Sequence, residues 1–282
     1  MIIKRAKTQG FCFGVAITVK KAEEAVARPG ASVTTLGHVV HNPQMVASLE
    51  AQGLKNAHSV EDVPDGTTLF VRAHGLPTSV YDRAKAKNLT VIDATCPMVT
   101  KIHVQAAKLR NDGYKIVVVG DAEHPEVKGT LSHVPGAWCI ASVAEVAALP
   151  RGSKVGVVVQ STWSGTGFTD IVKALSEKYY EVRAVNTICT DTHNRQAEAA
   201  DLAQDVDVMV VVGGKTSANT KHLAELSAMN GARAYHIENA SELQAEWFTG
   251  VAVCGLMSGA STPGALVDEV ADWIDVLSRQ GG

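Results

Sequence analysis

The sequence predicts an α/β fold built on mainly parallel sheets. Short Val- and Ile-rich runs alternate along the chain with amphipathic segments, the pattern of repeated βα units. The apolar runs show little polar alternation, as strands do when helices cover both faces of a sheet. After nearly every run comes a small polar cluster and then a helical pattern. The 282 residues suffice for two domains or three small ones with real cores.

Strands are expected at residues 68–72, 90–92, 115–119, 154–159, 206–212 and 251–255. Between them, Val99, Ile102, Ala106 and Leu109 recur at helical spacing until Gly113 stops the pattern. Further helices are expected at 168–179, 195–203 and 263–277. No low-complexity stretch or long linker marks a domain boundary. Cysteines recur in similar contexts at intervals of about a third of the chain, so three similar modules are expected, at 1–95, 96–188 and 189–282.

Composition narrows the function classes. A net charge of −3 and the absence of an arginine-rich run leave no footprint for nucleic acid. No apolar run reaches membrane-spanning length, and residues 1–5 lack the pattern of a secretory signal. A cytoplasmic protein is expected, in which five cysteines do not form a disulfide framework. Phosphate-loop and dinucleotide fingerprints are both missing, so no fixed nucleotide cofactor is supported.

The cysteines divide by context. Cys139 and Cys254 lie within apolar strands, where a thiol packs as a small hydrophobe. Cys12, Cys96 and Cys189 each sit at a turn beside Gly, Pro, Thr or Asp, where a helix N-terminus stabilises a thiolate. Three such thiolates suit an iron–sulfur cluster with one iron left open. A three-cysteine zinc site with one histidine is the competing reading, although the chain contains no Cys-x-x-Cys pair.

Polar residues concentrate at the strand-to-helix turns, where open α/β sheets bind ligands and helix N-termini favour anions. His41, His74 and His124 each begin such a turn. They can bind phosphate without the fixed charge of lysine. Ser161, Ser217, Asn219 and Ser261 occupy the later turns, either as helix caps or as ligand contacts. Glu126 is either a first-turn carboxylate favoured by the helix dipole or, if buried, a proton donor.

The ordered set Gly10-Phe11-Cys12, Val40-His41-Asn42, Ala73-His74-Gly75, Asp93-Ala94-Thr95-Cys96-Pro97 covers the first third of the chain. His124-Pro125-Glu126-Val127, Ile188-Cys189, Asn194-Arg195-Gln196 and Gly259-Ala260-Ser261 complete it. Together they resemble the 4-hydroxy-3-methylbut-2-enyl diphosphate reductase (LytB/IspH) family over essentially the whole length. The resemblance implies three αβα modules around a pseudo-threefold axis and a central [4Fe–4S] cluster. It implies Cys12, Cys96 and Cys189 as the cluster's three ligands. His41, His74, His124, Ser217, Asn219 and Ser261 would contact the diphosphate, Ser161 would lie near the substrate alcohol, and Glu126 would donate a proton. The family reduces its allylic diphosphate to isopentenyl and dimethylallyl diphosphates with loss of water, the last step of the methylerythritol phosphate route. A ferredoxin or flavodoxin is the implied electron donor.

Three positions depart from the usual family pattern. Ser161 stands where threonine is common, Ala218 replaces a serine, and His193 adds a titratable group after Cys189. Two other readings compete. A quinolinate-synthase-like [4Fe–4S] dehydratase would also use three cysteines, but it handles carboxylates, and the histidine set with the Ser217/Asn219 turn argues against it. An iron–sulfur sensor or electron carrier would normally close its cluster with four protein ligands.

Overall fold

In the computed structural model, residues 1–280 are described. The chain begins β1 (Ile2–Arg5), α1 (Phe13–Val26), β2 (Val33–Leu36), α2 (Pro43–Ala51), β3 (Lys55–Ala57) and β4 (Thr68–Val71). It continues α3 (Thr78–Ala86), β5 (Thr90–Asp93), α4 (Pro97–Asn111), β6 (Lys115–Val119), α5 (Pro125–His133) and β7 (Trp138–Ile140). Next come α6 (Val143–Ala148), β8 (Lys154–Val159), α7 (Gly165–Lys178), β9 (Glu181–Ala184), α8 (Thr190–Ala203) and β10 (Val208–Val212). The described chain ends with α9 (Ala218–Met229), β11 (Arg233–Ile237), β12 (Val253–Ser258) and α10 (Gly264–Gln280).

The strands form three four-stranded sheets, ordered β3-β2-β4-β5, β7-β6-β8-β9 and β11-β10-β12-β1. Every pairing within them is parallel. The expected α/β class with parallel sheets is therefore what forms. All three sheets share one order, in which the second strand turns outward and the third crosses back. In the third sheet the last place is taken by β1, from the start of the chain, in register with β12 from Ile2↔Val253 to Arg5↔Leu256.

By packing, the chain divides into two compact units. One comprises Met1–Ala16, Val40–Ser48 and the chain from Thr190; the other comprises Ile17–Val39 and Leu49–Cys189. The first holds the β1-containing sheet, the second the other two.

Covered faces explain the missing polar alternation. Along β10, Val208, Val210 and Val212 enter one core with Val267, Val270 and Ile274 of α10. The intervening Met209 and Val211 enter another with Ala199 and Leu223 of α8 and α9. On β8, Val155, Val157 and Val159 face Phe168, Ile171 and Leu175 of α7, while Val158 faces Ile102 and Leu109 of α4. Each such side chain contributes roughly 1.5–3 kcal/mol by burial. Of the described helices, none is long and apolar enough to cross a membrane.

Candidate active site

The three candidate ligand cysteines occupy one repeated position. Each follows the last strand of its sheet and immediately precedes a helix: Cys12 after β1 and before α1, Cys96 after β5 and before α4, Cys189 after β9 and before α8. In each case the cysteine N–H donates to a carbonyl two residues beyond the neighbouring strand. Cys12 donates to Ala260 at 3.0 Å, Cys96 to Ala73 at 2.9 Å and Cys189 to Ser161 at 2.9 Å. Helix-starting amides then turn toward the sulfur. The Val15 N–H donates to Cys12 Sγ at 3.4 Å, and those of Met98 and Val99 act on Cys96.

Within the unit containing Cys96 and Cys189, Glu126 is a buried carboxyl. It is 2% exposed, at the second position of α5. The Ser161 N–H donates to Oε1 at 2.6 Å and the Ser161 hydroxyl donates to Oε2 at 2.6 Å. Burial pushes the Glu126 carboxyl above the ordinary carboxylate range, and the two Ser161 bonds pull in the opposite direction without cancelling it. Ser161 also accepts the Cys189 N–H on its carbonyl, so one residue joins the acid to a candidate ligand cysteine.

His124 caps the same helix, its Nδ1 accepting the Glu126 N–H at 3.3 Å. That bond leaves the proton on Nε2, which makes the ring a neutral donor. Burial lowers its pKa, which keeps it neutral, and the His74 ring stands edge-on at 5.4 Å between centroids. A neutral N–H of this kind serves a phosphate oxygen.

The other unit carries a second set of polar turns. Ser217 caps α9, its hydroxyl accepting the Thr220 N–H at 3.2 Å. The Asn219 side chain is buried, and its Nδ2 has no hydrogen-bond partner within the protein. Such an orphaned donor at a helix N-terminus fits an anion. The Ser261 hydroxyl donates to the His41 carbonyl at 3.2 Å, tying two of the sequence-predicted contacts together. Glycine makes this packing feasible: a Cβ on Gly214 would lie 2.3 Å from the His41 carbonyl oxygen, and one on Gly259 2.0 Å from Thr220 Oγ1.

The donor set fits an iron–sulfur cluster. Cys12, Cys96 and Cys189 are each part-exposed at a helix start. The Cys96 thiol is held above its ordinary pKa, first by burial and then by the nearby charges of Cys189 and Glu126. The Cys189 charge raises the cost of ionising Cys96, a repulsion that soft thiolates relieve by binding iron. The remaining cysteines are of another kind. Cys254 is fully buried in β12 with its thiol pushed up to about 12, and Cys139 in β7 is pushed to about 11, both chiefly by burial.

The chain matches the family model described as LytB protein over residues 3–275. It belongs to the LytB family. A LytB-family relative from Anaeromyxobacter sp. (strain Fw109-5), a 4-hydroxy-3-methylbut-2-enyl diphosphate reductase, is 46% identical over 281 residues, covering 100% of this chain and 99% of the relative. A reductase of the same name from Geobacter sulfurreducens is also 46% identical, with 99% of each chain covered. The solved structure of the (E)-4-hydroxy-3-methyl-but-2-enyl diphosphate reductase described as the terminal enzyme of the non-mevalonate pathway matches 98% of this chain and 100% of its own, at 38% identity and a TM-score of 0.73. That of the Plasmodium falciparum E-1-hydroxy-2-methyl-but-2-enyl-4-diphosphate reductase gives a TM-score of 0.92 at 30% identity, covering 98% and 87%.

Of the three departures from the family pattern, Ser161 keeps its hydroxyl on Glu126, Ala218 opens α9 directly after the cap, and His193 is exposed on the first turn of α8. Two arginines escaped the sequence reading as functional residues. Arg72 lies on the turn after β4, its guanidinium partly desolvated, and its charge helps to keep His124 neutral. Arg195 is 1% exposed and belongs to the buried stripe Thr192, Arg195, Ala199, Ala203 of α8. An arginine on an otherwise apolar and small-residue stripe was the available signal.

Proposed function

We propose that this LytB-family chain acts as a 4-hydroxy-3-methylbut-2-enyl diphosphate reductase, with Glu126 as proton donor and Cys12, Cys96 and Cys189 as the ligands of one [4Fe–4S] cluster. The observation that carries the reading is the buried Glu126 carboxyl gripped twice by Ser161, in the unit that also presents Cys96 and Cys189. Full-length similarity to reductases of that name supports it.

The residues divide the work. His41, His74, His124, Ser217, Asn219 and Ser261 receive the diphosphate through neutral donors and helix-start amides. When bound, the cluster supplies electrons and Lewis acidity at the one iron without a protein ligand. Burial raises the Glu126 pKa and so favours the protonated form that a proton donor needs. The Ser161 hydroxyl donates to Oε2 in this structure; turned to accept the Glu126 proton, it donates its own to the departing hydroxyl, which leaves as water. Two electrons and one further proton complete the conversion to the two five-carbon products, so that two electrons and two protons are consumed in all. A ferredoxin or flavodoxin serves as the electron source, and the enzyme works in the cytoplasm.

Anaerobic incubation of iron-replete protein with the diphosphate and a one-electron reductant tests this. Isopentenyl and dimethylallyl diphosphates are the expected products. Unconsumed substrate at full iron occupancy would contradict the reading.

A further inference from the structure

We infer that Arg195 and Glu198 on α8 form a positioning clamp that fixes the loop presenting Cys12 and the strand end leading to Ser261. The inference rests on the reductase reading only for its catalytic consequence. Arg195 spends its donors on main-chain oxygens. Its Nη1 donates to Thr8 O at 3.1 Å and to Ser258 O at 2.9 Å, and its Nη2 donates to Gly10 O at 2.9 Å. Its Nε is paired with Asp191 Oδ2 at 2.7 Å, on the first turn of the helix that Cys189 precedes. One turn along the same helix, Glu198 takes the amides of the same loop. Its Oε1 accepts the Lys7 N–H, and its Oε2 accepts the Thr8 N–H at 3.0 Å.

The clamp reaches further through two more bonds. The Gly10 N–H donates to Ser258 Oγ at 3.1 Å, and the Cys12 N–H donates to Ala260 O at 3.0 Å. Residues 7–12 are thus held on both their carbonyl and amide sides. The strand end at Ser258, three residues before Ser261, is held by the same guanidinium. A buried charge is a poor way to gain stability alone, since apolar replacements of buried ion pairs are often neutral or better. A rigid five-donor fork is, however, the group suited to several fixed carbonyls, and lysine's three donors on a flexible stem are not. Cofactor ligands and substrate contacts both need such fixed support.

Arg195→Lys and Glu198→Gln, prepared anaerobically as iron-loaded protein, test the clamp. The readouts are amide hydrogen exchange over residues 6–14, the rate of iron loss to a chelator, and kcat against KM. For Arg195→Lys the clamp predicts faster exchange confined to residues 6–14, with β10 and β12 still protected. It predicts faster iron loss and a kcat lower by roughly 100-fold with a smaller change in KM. Glu198→Gln should move each readout in the same direction by less. Unchanged exchange at 6–14 in both variants overturns the inference. So does exchange that accelerates evenly across the whole unit, which marks a merely structural role. If Arg195→Lys does not fold, localised exchange in Glu198→Gln decides the matter alone. Wild-type protein without iron would defeat the cluster reading, while the exchange data would still judge the clamp.

Discussion

Glu126 and Ser161 are joined twice: the serine amide and hydroxyl donate to opposite oxygens of one carboxyl, each at 2.6 Å. The carboxyl stands between its own burial, which raises its pKa, and these two bonds, which lower it. Burial wins, so the protonated form persists to higher pH than in an ordinary carboxyl. Ser161 also receives the Cys189 N–H, so the acid's tuning and the position of a candidate ligand cysteine share one residue.

Ser161→Ala keeps the amide bond to Oε1 and removes the hydroxyl bond to Oε2, a contact worth about 0.5–1.5 kcal/mol with a neutral acid. The Glu126 pKa should rise further. The alkaline limb of the kcat profile should therefore move to higher pH while kcat falls, because the relay hydroxyl is gone. Ser161→Thr restores the hydroxyl and should keep the wild-type profile. Steady-state kinetics across pH at constant iron content measures both.

Stability should carry the same signature. In the unfolded chain the Glu126 carboxyl ionises near its ordinary value of 4.5, and in the folded chain at a higher pH. Between those values the folded state binds more protons, so this contribution is full below 4.5 and is lost as pH rises through the folded value. Glu126→Gln removes it. Denaturant unfolding of wild type should show this loss with rising pH, and the variant should show a shallower dependence; equal slopes would mean that the acid is not buried as described.

The cysteines should separate cleanly. Serine at Cys12, Cys96 or Cys189 should lose bound iron and nearly all activity. Cys254→Ser places a hydroxyl in an apolar strand and should cost about 1–3 kcal/mol of stability, with iron content unchanged. Iron and sulfide counts beside thermal unfolding distinguish the two classes.

Asn219→Ala deletes the buried amide whose Nδ2 lacks a protein partner. If that donor meets the diphosphate, KM should rise by roughly tenfold or more. Iron content should not change, and kcat should fall less than KM rises. An unaltered KM would remove Asn219 from the contact set.

Much of this was legible in the chain. The apolar runs of β6, β8 and β10 announced buried parallel strands, and the turn contexts set Cys12, Cys96 and Cys189 apart from Cys139 and Cys254. The edge strands were harder to read. β3, with sequence Lys-Asn-Ala, and β9, Glu-Val-Arg-Ala, are largely solvent-facing and carry no apolar signal. β2 is fully buried, but its two central residues are threonines. The placement of β1 beside β12 was invisible locally, because a parallel pairing between the two ends of a chain depends on tertiary packing. Glu126 showed the same limit. Position alone left a dipole-favoured surface glutamate as likely as a buried acid, and only its 2% exposure and the Ser161 bonds decide between them. Arg195 stood inside a recognised motif, yet its four acceptors come from separate parts of the sequence.

The central claim is that Glu126 delivers the proton that lets the hydroxyl leave, and the comparison of wild type with Glu126→Gln tests it most directly. The amide can still accept the Ser161 N–H and bond the serine hydroxyl, so the fold, iron content and affinity for the diphosphate should survive. Turnover of 4-hydroxy-3-methylbut-2-enyl diphosphate, measured anaerobically at matched iron content, should fall by roughly 100-fold or more. Turnover within a few-fold of wild type would contradict the account.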